Sequence, residues 1–282
     1  MPQPTVKTSS IYAPRPCRII TVSDLTPQEK LFRLQLADGS ELNHQPGQFV
    51  QVSIAGLTEA PISVASSPTR PGYFELGVRK AGLLTSALHQ LQPGAQLGIR
   101  GPFGRPFVLD ALHGKQLLLI AGGCGLAPLR SLIQYCQDRA EQFPAVHILY
   151  GARSADDLMF REELAGWHLS DSFSCRYTVD QIPASSCYDG ETGLITKLLN
   201  DLQLDPGNCC AVVVGPPPMY RPVIDKLRSI GLTGEKQIML SLERQMRCGI
   251  GKCGHCSIEH LNCCCDGPIF WLDEIEQLRG AL

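Results

Sequence analysis

The chain has 282 residues, 44% of them hydrophobic and 18% charged, with a formal net charge of −2. That length holds roughly two domains. The near-neutral balance, without a basic run or basic–aromatic interleaving, argues against a nucleic-acid partner, and no apolar run approaches the roughly 18 residues that cross a bilayer, which predicts no membrane insertion.

Residues 1–16 are rich in Pro and Ser and read as an N-terminal arm. The polar start lacks the apolar core of an export signal, which predicts a cytoplasmic protein. Thirteen cysteines in such a chain suit a reducing compartment, where thiols bind metals or fill cores.

Residues 17–110 read as short strands with turns between them, the pattern of a small antiparallel barrel. Arg18–Ser23 is rich in β-branched residues, Leu31–Leu36 alternates before an Asp38-Gly39 turn, and Pro46-Gly47 opens a strand toward Ile54. Phe74–Arg79 and Gln96–Arg100 follow, with one helix near Leu83–Gln90. Ala60-Pro61-Ile62-Ser63 sets the Ser63 and Ser66 hydroxyls beside free backbone groups. Gly82-Leu83-Leu84-Thr85 sets hydroxyls and N–H groups at a helix start, where an anion is favoured. Taken singly, these are equally an edge strand and a helix cap.

In residues 111–235 the texture changes to continuous apolar runs alternating with helices, as a parallel, helix-covered sheet requires. Gln116–Ala121, Val146–Tyr150 and Ala211–Val214 are the runs; Pro128–Ala140 and Arg221–Ser229 are the helices. The loop Gly122-Gly123-Cys124-Gly125 lies between strand and helix, with Pro128 early in the helix, where its missing N–H costs nothing. A helix N-terminus there would favour a pyrophosphate, although the G-x-G-x-x-G fingerprint is absent. Gly215-Pro216-Pro217-Pro218-Met219 repeats the strand–glycine–helix pattern, and two such loops at the carboxyl edge of one sheet mark a ligand crevice. Each could also be a plain connection.

Residues 236–282 surround the densest chemistry. Cys248, Cys253 and Cys256 have C-x4-C-x2-C spacing, that of plant-type 2Fe–2S proteins, and Gly249, Gly251 and Gly254 allow the loop to fold back on itself. The fourth thiolate has three candidates, Cys263, Cys264 and Cys265. Zinc usually pairs two short C-x2–4-C knuckles, so the four-residue gap fits it less well; disulfides would suit a secreted protein.

Together these stretches resemble the ferredoxin–NADP reductase superfamily over about residues 17–270. The order of barrel, nucleotide domain and cysteine loop is similar to the electron-transfer subunits of dihydroorotate dehydrogenase and of anaerobic sulfite reductase. It is similar above all to the gamma subunits of cytosolic NADP-linked nickel–iron hydrogenases, the sulfhydrogenases. The resemblance implies an N-terminal antiparallel flavin-binding barrel, a parallel-sheet nucleotide-binding domain and a small C-terminal 2Fe–2S module. It assigns Ala60, Pro61, Ile62 and Ser63 to FAD, and Gly82, Leu84 and Thr85 to its phosphates. It assigns Gly122, Gly123, Gly125 and Pro128 to NADP or NAD, with Gly215, Pro216 and Met219 beside the nicotinamide. In the family the last cluster ligand stands two residues before Asp-Gly-Pro, here Cys264 before Asp266-Gly267-Pro268. The superfamily's Arg-x-Tyr-Ser is replaced by Ala60-Pro-Ile-Ser63, a substitution shared by hydrogenase-type relatives.

The function implied is a diaphorase passing electrons between NAD(P)H and the catalytic and iron–sulfur subunits of a hetero-oligomeric complex, a hydrogenase foremost. A stand-alone NAD(P)H–flavin reductase is the simpler alternative. Ser63 would hydrogen-bond near the reactive flavin nitrogen, and Cys124 would either lie near the nicotinamide or merely fill a tight turn. Arg153 and Arg161 are candidates for a 2′-phosphate, or for pairing with Asp156, Asp157 or Glu162. Lys252 and His255 sit inside the cysteine loop, where a lysine either raises a cluster's potential or faces solvent.

Overall fold

The computed structural model describes residues 10–167, 173–182 and 188–282; most of the expected arm lies outside the described residues. Six strands form the first sheet: β1 (Arg15–Asp24), β2 (Glu29–Leu36), β3 (Phe49–Ser53), β4 (Glu59–Ser63), β5 (Phe74–Arg79) and β6 (Gln96–Phe103), with α1 (Leu83–Leu88) after β5. Their order is β4-β3-β6-β1-β2-β5, all pairs antiparallel. A bridge between Val64 and Leu76 brings the two edges together and curls the sheet into a barrel. Phe32, Leu34, Val50, Val52, Leu76, Val78 and Ile99 fill it, each fully buried. This is the alternation read from the sequence, since successive strand residues point to opposite faces.

A short helix, α2 (Leu109–Leu112), leads into β7 (Gln116–Gly122), α3 (Leu126–Asp138), β8 (Ala145–Ala152), α4 (Arg161–Gly166), β9 (Phe173–Val179), β10 (Glu191–Thr192), β11 (Cys209–Val214), α5 (Pro217–Ser229) and β12 (Ile238–Ser241). The rest comprises β13 (Ser257–Ile258), β14 (Leu261–Asn262), β15 (Ile269–Trp271) and α6 (Leu272–Ile275). The second sheet runs β10-β9-β8-β7-β11-β12-β15. All neighbours are parallel except β15, which is antiparallel to β12. Every residue of β11 is buried, as a strand covered on both faces must be.

One expectation changes. The helices begin earlier than read: α3 at Leu126 and α5 at Pro217. Proline in the first helical turn loses no bond, so Pro217 and Pro218 start α5 rather than delaying it. The C-terminal segment 236–282 is anchored on the nucleotide sheet. Its β12 and β15 extend the nucleotide sheet because Ile238–Ser241 is an apolar run buried throughout, and the cysteines form an excursion between the two strands.

Helix α3 docks the sheet onto the barrel. Arg130, only 5% exposed, donates from Nη1 to Glu75 at 2.7 Å and to the Ala65 carbonyl at 3.0 Å, and from Nε to Glu163 at 2.8 Å. Breaking such a buried pair typically costs about 3–5 kcal/mol, because one charge is left without its counter-ion. Ser131 Oγ donates to the Ser66 carbonyl at 2.7 Å, and Gln134 Oε1 accepts from the Ser67 N–H at 2.9 Å.

Candidate functional site

The strand order reverses between β7 and β11, so their carboxyl ends form the switch point where open α/β sheets bind ligands. Here three chain segments approach closely. A Cβ at Gly122 would stand 2.5 Å from Met219 Sδ, and one at Gly125 would overlap the Val214 carbonyl oxygen. A Cβ at Gly215 would lie 2.5 Å from Met219 Cε. Backbone packing between the two loops thus requires glycine at 125, whereas at 122 and 215 the added carbon would meet the flexible end of the Met219 side chain. Gly123 has open space but φ +51.

Between this edge and the barrel lies a cavity of about 410 Å³, within the ordinary range of ligand sites. Ala60, Pro61, Ile62, Ser63 and Thr85 line it from the barrel, and Cys124, Gly125 and Pro128 from the nucleotide sheet. Residues 241–246, leading into the cysteine loop, close the third side. Ala60 to Ser63 form part of an edge strand and are only half-buried, which leaves an apolar surface open to a planar group.

Apart from Thr85, the remaining expected residues lie off this cavity. Ser66 is fully buried, and its Oγ accepts the Glu75 N–H at 2.9 Å; it belongs to the contact between barrel and α3. Leu84 is buried at 5% exposure. Gly82 has extended backbone, φ −167, and no atom within 4 Å of a Cβ, so neither packing nor φ demands glycine there. Thr85 Oγ1 accepts from the Ala81 and Gly82 N–H groups, both at 2.9 Å. Met219 packs on Gly122 and Gly215, beside Pro216. Arg153 is exposed just past β8, and Arg161 is tied to the Ala155 carbonyl at 2.6 Å and to Asp156 at 3.8 Å, the pairing that competes with a phosphate role.

Sequence reading missed Arg79 and Glu243, which line the cavity, and Glu29 and Thr26, which support Cys124. Cys124 donates to Glu29 Oε1 at 3.1 Å, and Arg79 approaches the same carboxylate at 3.6 Å and the Cys124 sulfur at 3.7 Å. Thr26 donates to the other Glu29 oxygen. Glu243 stands in the cavity wall, its carboxyl raised by desolvation and held back by Arg79. Glu29 and Arg79 are cross-strand partners, a pairing that period-2 strands would have exposed had their register been known.

Burial and the Glu29 hydrogen bond push the Cys124 thiol up to about 12. At pH 8 it carries roughly three orders of magnitude less thiolate than an ordinary cysteine. Peptide mapping after brief iodoacetamide treatment at pH 8 should therefore find Cys124 unlabelled; rapid labelling there would contradict this environment.

The cysteine loop is tightly turned, with φ of +75, +71 and +71 at Gly249, Gly251 and Gly254. Its backbone points donors at sulfur: Lys252 N–H to Cys248 Sγ at 3.3 Å and Gly251 N–H to Cys264 Sγ at 3.1 Å. The exposed Cys253 thiol is lowered to about 7 by the His255 backbone N–H and then by Cys248. Cys256 adjoins Cys264, whose thiol burial pushes up. Among the described residues no three such groups converge to the spacing of a bound ion. The donor set nonetheless fits an iron–sulfur group: soft thiols on a glycine-bent loop, with N–H groups directed at the sulfurs that would carry charge. The three late cysteines differ sharply. Cys263 is fully buried, its sulfur 3.8 Å from the Leu242 carbonyl. Cys264 receives the loop's N–H, and Cys265 is exposed with its sulfur 3.8 Å from that of Cys264. Lys252 Nζ lies over the Tyr12 ring at 5.5 Å.

A flavin-type barrel joined to a nucleotide sheet, with an iron–sulfur loop at their junction, defines a ferredoxin–NADP reductase-like oxidoreductase. Residues 16–107 match the oxidoreductase FAD-binding domain, 119–224 the oxidoreductase NAD-binding domain, and 243–276 the iron-sulfur cluster binding domain of dihydroorotate dehydrogenase B. The chain is 38% identical to sulfhydrogenase 2 subunit gamma of Pyrococcus furiosus, covering 96% of this chain and 99% of that one. It is 35% identical to a probable dihydroorotate dehydrogenase B electron transfer subunit of Methanothermobacter thermautotrophicus, over 83% and 81% of the two chains. The fold also matches a structure of NADH-dependent reduced ferredoxin-NADP oxidoreductase with TM-score 0.71 and 24% identity, over 91% and 88% of the chains. The chain belongs to the family of flavin and iron–sulfur electron-transfer subunits that includes the sulfhydrogenase gamma and dihydroorotate dehydrogenase B proteins. Its cofactors are FAD, a nicotinamide nucleotide and an iron–sulfur cluster. Among the described residues no helix is long and apolar enough to cross a membrane.

Proposed function

We propose that this chain is the cytoplasmic diaphorase subunit of an NADP-linked hydrogenase, moving electrons between NAD(P)H and the partner's catalytic and iron–sulfur subunits. The observation that carries this reading is the cavity lined jointly by Ala60–Ser63, by Cys124–Pro128 and by the segment entering the cysteine loop. The near full-length likeness to a sulfhydrogenase gamma subunit favours a hydrogenase partner. The match of residues 243–276 favours a dihydroorotate dehydrogenase as the second reading.

A bound flavin supplies paired-electron exchange with nicotinamide and single-electron exchange with an iron–sulfur group. Ala60, Pro61 and Ile62 give its ring an apolar seat, and the Ser63 hydroxyl offers a hydrogen bond at its edge. Gly82 leaves room for phosphates at the turn held by Thr85. Gly122, Gly123, Gly125 and Pro128 shape the nucleotide loop, and Gly215, Pro216 and Met219 are the residues assigned beside the nicotinamide. Cys124 stays a neutral thiol there. Cys248, Cys253, Cys256 and Cys264 are the ligands proposed for a 2Fe–2S cluster, on the strength of the C-x4-C-x2-C spacing and the Gly251 N–H aimed at Cys264.

Anaerobically purified protein should show flavin bands over broad iron–sulfur absorbance, both bleached by NADPH, and should co-purify with hydrogenase subunits. Colourless protein carrying zinc would overturn the cofactor assignment; co-purification with an orotate-oxidising subunit would favour the second reading.

Arg153 is the proposed 2′-phosphate contact, because it is exposed at the carboxyl end of β8 while Arg161 is engaged locally. Losing a charge-assisted bond of about 1.5–3 kcal/mol, Arg153→Ala should raise the KM for NADPH roughly ten- to a hundred-fold and leave that for NADH nearly unchanged. Equal effects on both would defeat the assignment.

A further inference from the structure

Two side chains of the barrel reach beyond their own sheet and hold the start of the cysteine loop. Gln51 on β3 and Arg100 on β6 are direct cross-strand partners. Gln51 Nε2 donates to the Arg247 carbonyl at 3.3 Å, and Arg100 Nη2 donates to the Cys248 carbonyl at 3.1 Å. Consecutive carbonyls, the second belonging to the loop's first cysteine, are thus bonded to one rung of the barrel ladder. The rest of the Arg100 fork is occupied: Nε and Nη2 pair with Glu59 at 2.8 and 2.5 Å, and Nη1 donates to the Ile11 carbonyl at 3.0 Å. A buried fork engaged on every arm is fixed in orientation, and the guanidinium rather than the carboxylate touches the loop.

The same rung continues into the proposed flavin seat. Gln51 pairs on its other side with Pro61, and Phe49 pairs with Ser63 on one side and Phe103 on the other. The rows Pro61–Gln51–Arg100 and Ser63–Phe49–Phe103 therefore run from that seat to the loop. The loop lies flat on them: a Cβ at Gly249 would be 3.0 Å from Phe103 Cδ2 and 3.2 Å from Gln51 Cγ. Gln51 is fully buried, and its Oε1 has no hydrogen-bond partner among the described residues. An orphaned acceptor in a barrel wall is costly, and an apolar side chain would serve the strand better. The amide is retained at that cost where its N–H meets the loop.

We propose that Gln51 and Arg100 are positioning residues for the iron–sulfur loop. They fix its first cysteine turn to the barrel, one and two strands away from the flavin seat, and the Arg100 cation raises the reduction potential of the cluster. The inference rests on the iron–sulfur reading above, and the experiment separates the two.

Three variants of the full chain are compared with wild type: Gln51→Leu, Arg100→Lys, and Arg100→Gln combined with Glu59→Gln so that no carboxylate is orphaned. Iron and sulfide content, EPR-monitored redox titration and amide hydrogen exchange are measured on each. Gln51→Leu should unfold at the same or higher urea concentration, yet exchange of the amides at 249–252 should quicken at least ten-fold. The double variant should keep its iron but shift at least ten-fold toward the oxidised form at fixed potential, a fall of about 59 mV for one electron. Arg100→Lys should restore the potential but not the exchange protection, because an ammonium cannot span Glu59, Ile11 and Cys248 together. Iron-replete variants with wild-type potential and exchange would overturn this inference alone; an iron-free wild-type protein would overturn it together with the reading beneath it.

Discussion

Cys264→Ser should lose nearly all iron and acid-labile sulfide while keeping its flavin, whereas Cys263→Ser should keep its iron and lose stability. The contrast follows from where adjacent side chains point. Cys264 faces the cysteine loop, where its sulfur accepts the Gly251 N–H at 3.1 Å. The Cys263 sulfur instead lies 3.8 Å from the Leu242 carbonyl, on a residue with 0% exposure. Serine there buries a shorter, more polar group in which the hydroxyl would sit farther from the Leu242 carbonyl than the sulfur does, at a cost of about 1–3 kcal/mol. Cys265→Ser should change neither property, since that side chain is at the surface. Colorimetric iron and sulfide assays with urea titration of each protein decide the matter. Iron retained in Cys264→Ser but lost in Cys265→Ser would move the fourth ligand to the neighbouring position. The flavin should survive in every case, because its proposed seat is on β4 and contains none of these cysteines.

Gly125→Ala should cost about 3 kcal/mol of stability and should abolish rapid reduction by NADPH. Its added methyl would overlap the Val214 carbonyl oxygen and stand 3.0 Å from the Gly215 Cα, so backbone meets backbone and no flexible side chain can yield. Overpacking of this kind typically costs about 1–3 kcal/mol, and backbone contacts fall at the high end. The start of α3 must move away from the end of β11, which separates the two loops that line the cavity. Gly123→Ala is the comparison. Its methyl would meet nothing within 4 Å, but its φ of +51 imposes a left-handed penalty of about 1–2 kcal/mol. Urea midpoints and stopped-flow flavin bleaching should therefore rank Gly125→Ala well below Gly123→Ala. The reverse order would mean that the β7–β11 approach is not the constraint.

Much of this architecture was legible in the chain. Phe74–Arg79 appears as a strand with the bounds read from its alternation, and the apolar runs at Gln116 and Ala211 lie in the middle of the parallel sheet. The boundary near residue 236 was less legible, because β12 is only four residues long and β15 three, and neither differs locally from loop-lining apolar sequence. Their membership in the sheet depends on pairing with β11, set by contacts between distant parts of the chain. The glycines at 122, 125 and 215 were legible as loop glycines, yet what they face was not: the spacing suggests room for a phosphate, and the structure shows the end of β11 against Gly125 and the Met219 side chain against Gly122 and Gly215.

Residue type and spacing are local properties, and they were enough to establish the order of barrel, nucleotide sheet and cysteine loop and the chemistry available to each. They also confined the fourth thiolate to three neighbouring positions. It took the folded chain to show that Arg79, Cys124 and Glu243 share one cavity with Glu29 bonded to Cys124, that Ser66 is sealed behind α3, and that Arg100 and Gln51 grip the cysteine loop. The hydrogen bonds that join them to the loop span up to 196 positions in the chain. Strand register and burial bring them together, and neither is written in any short stretch of residues.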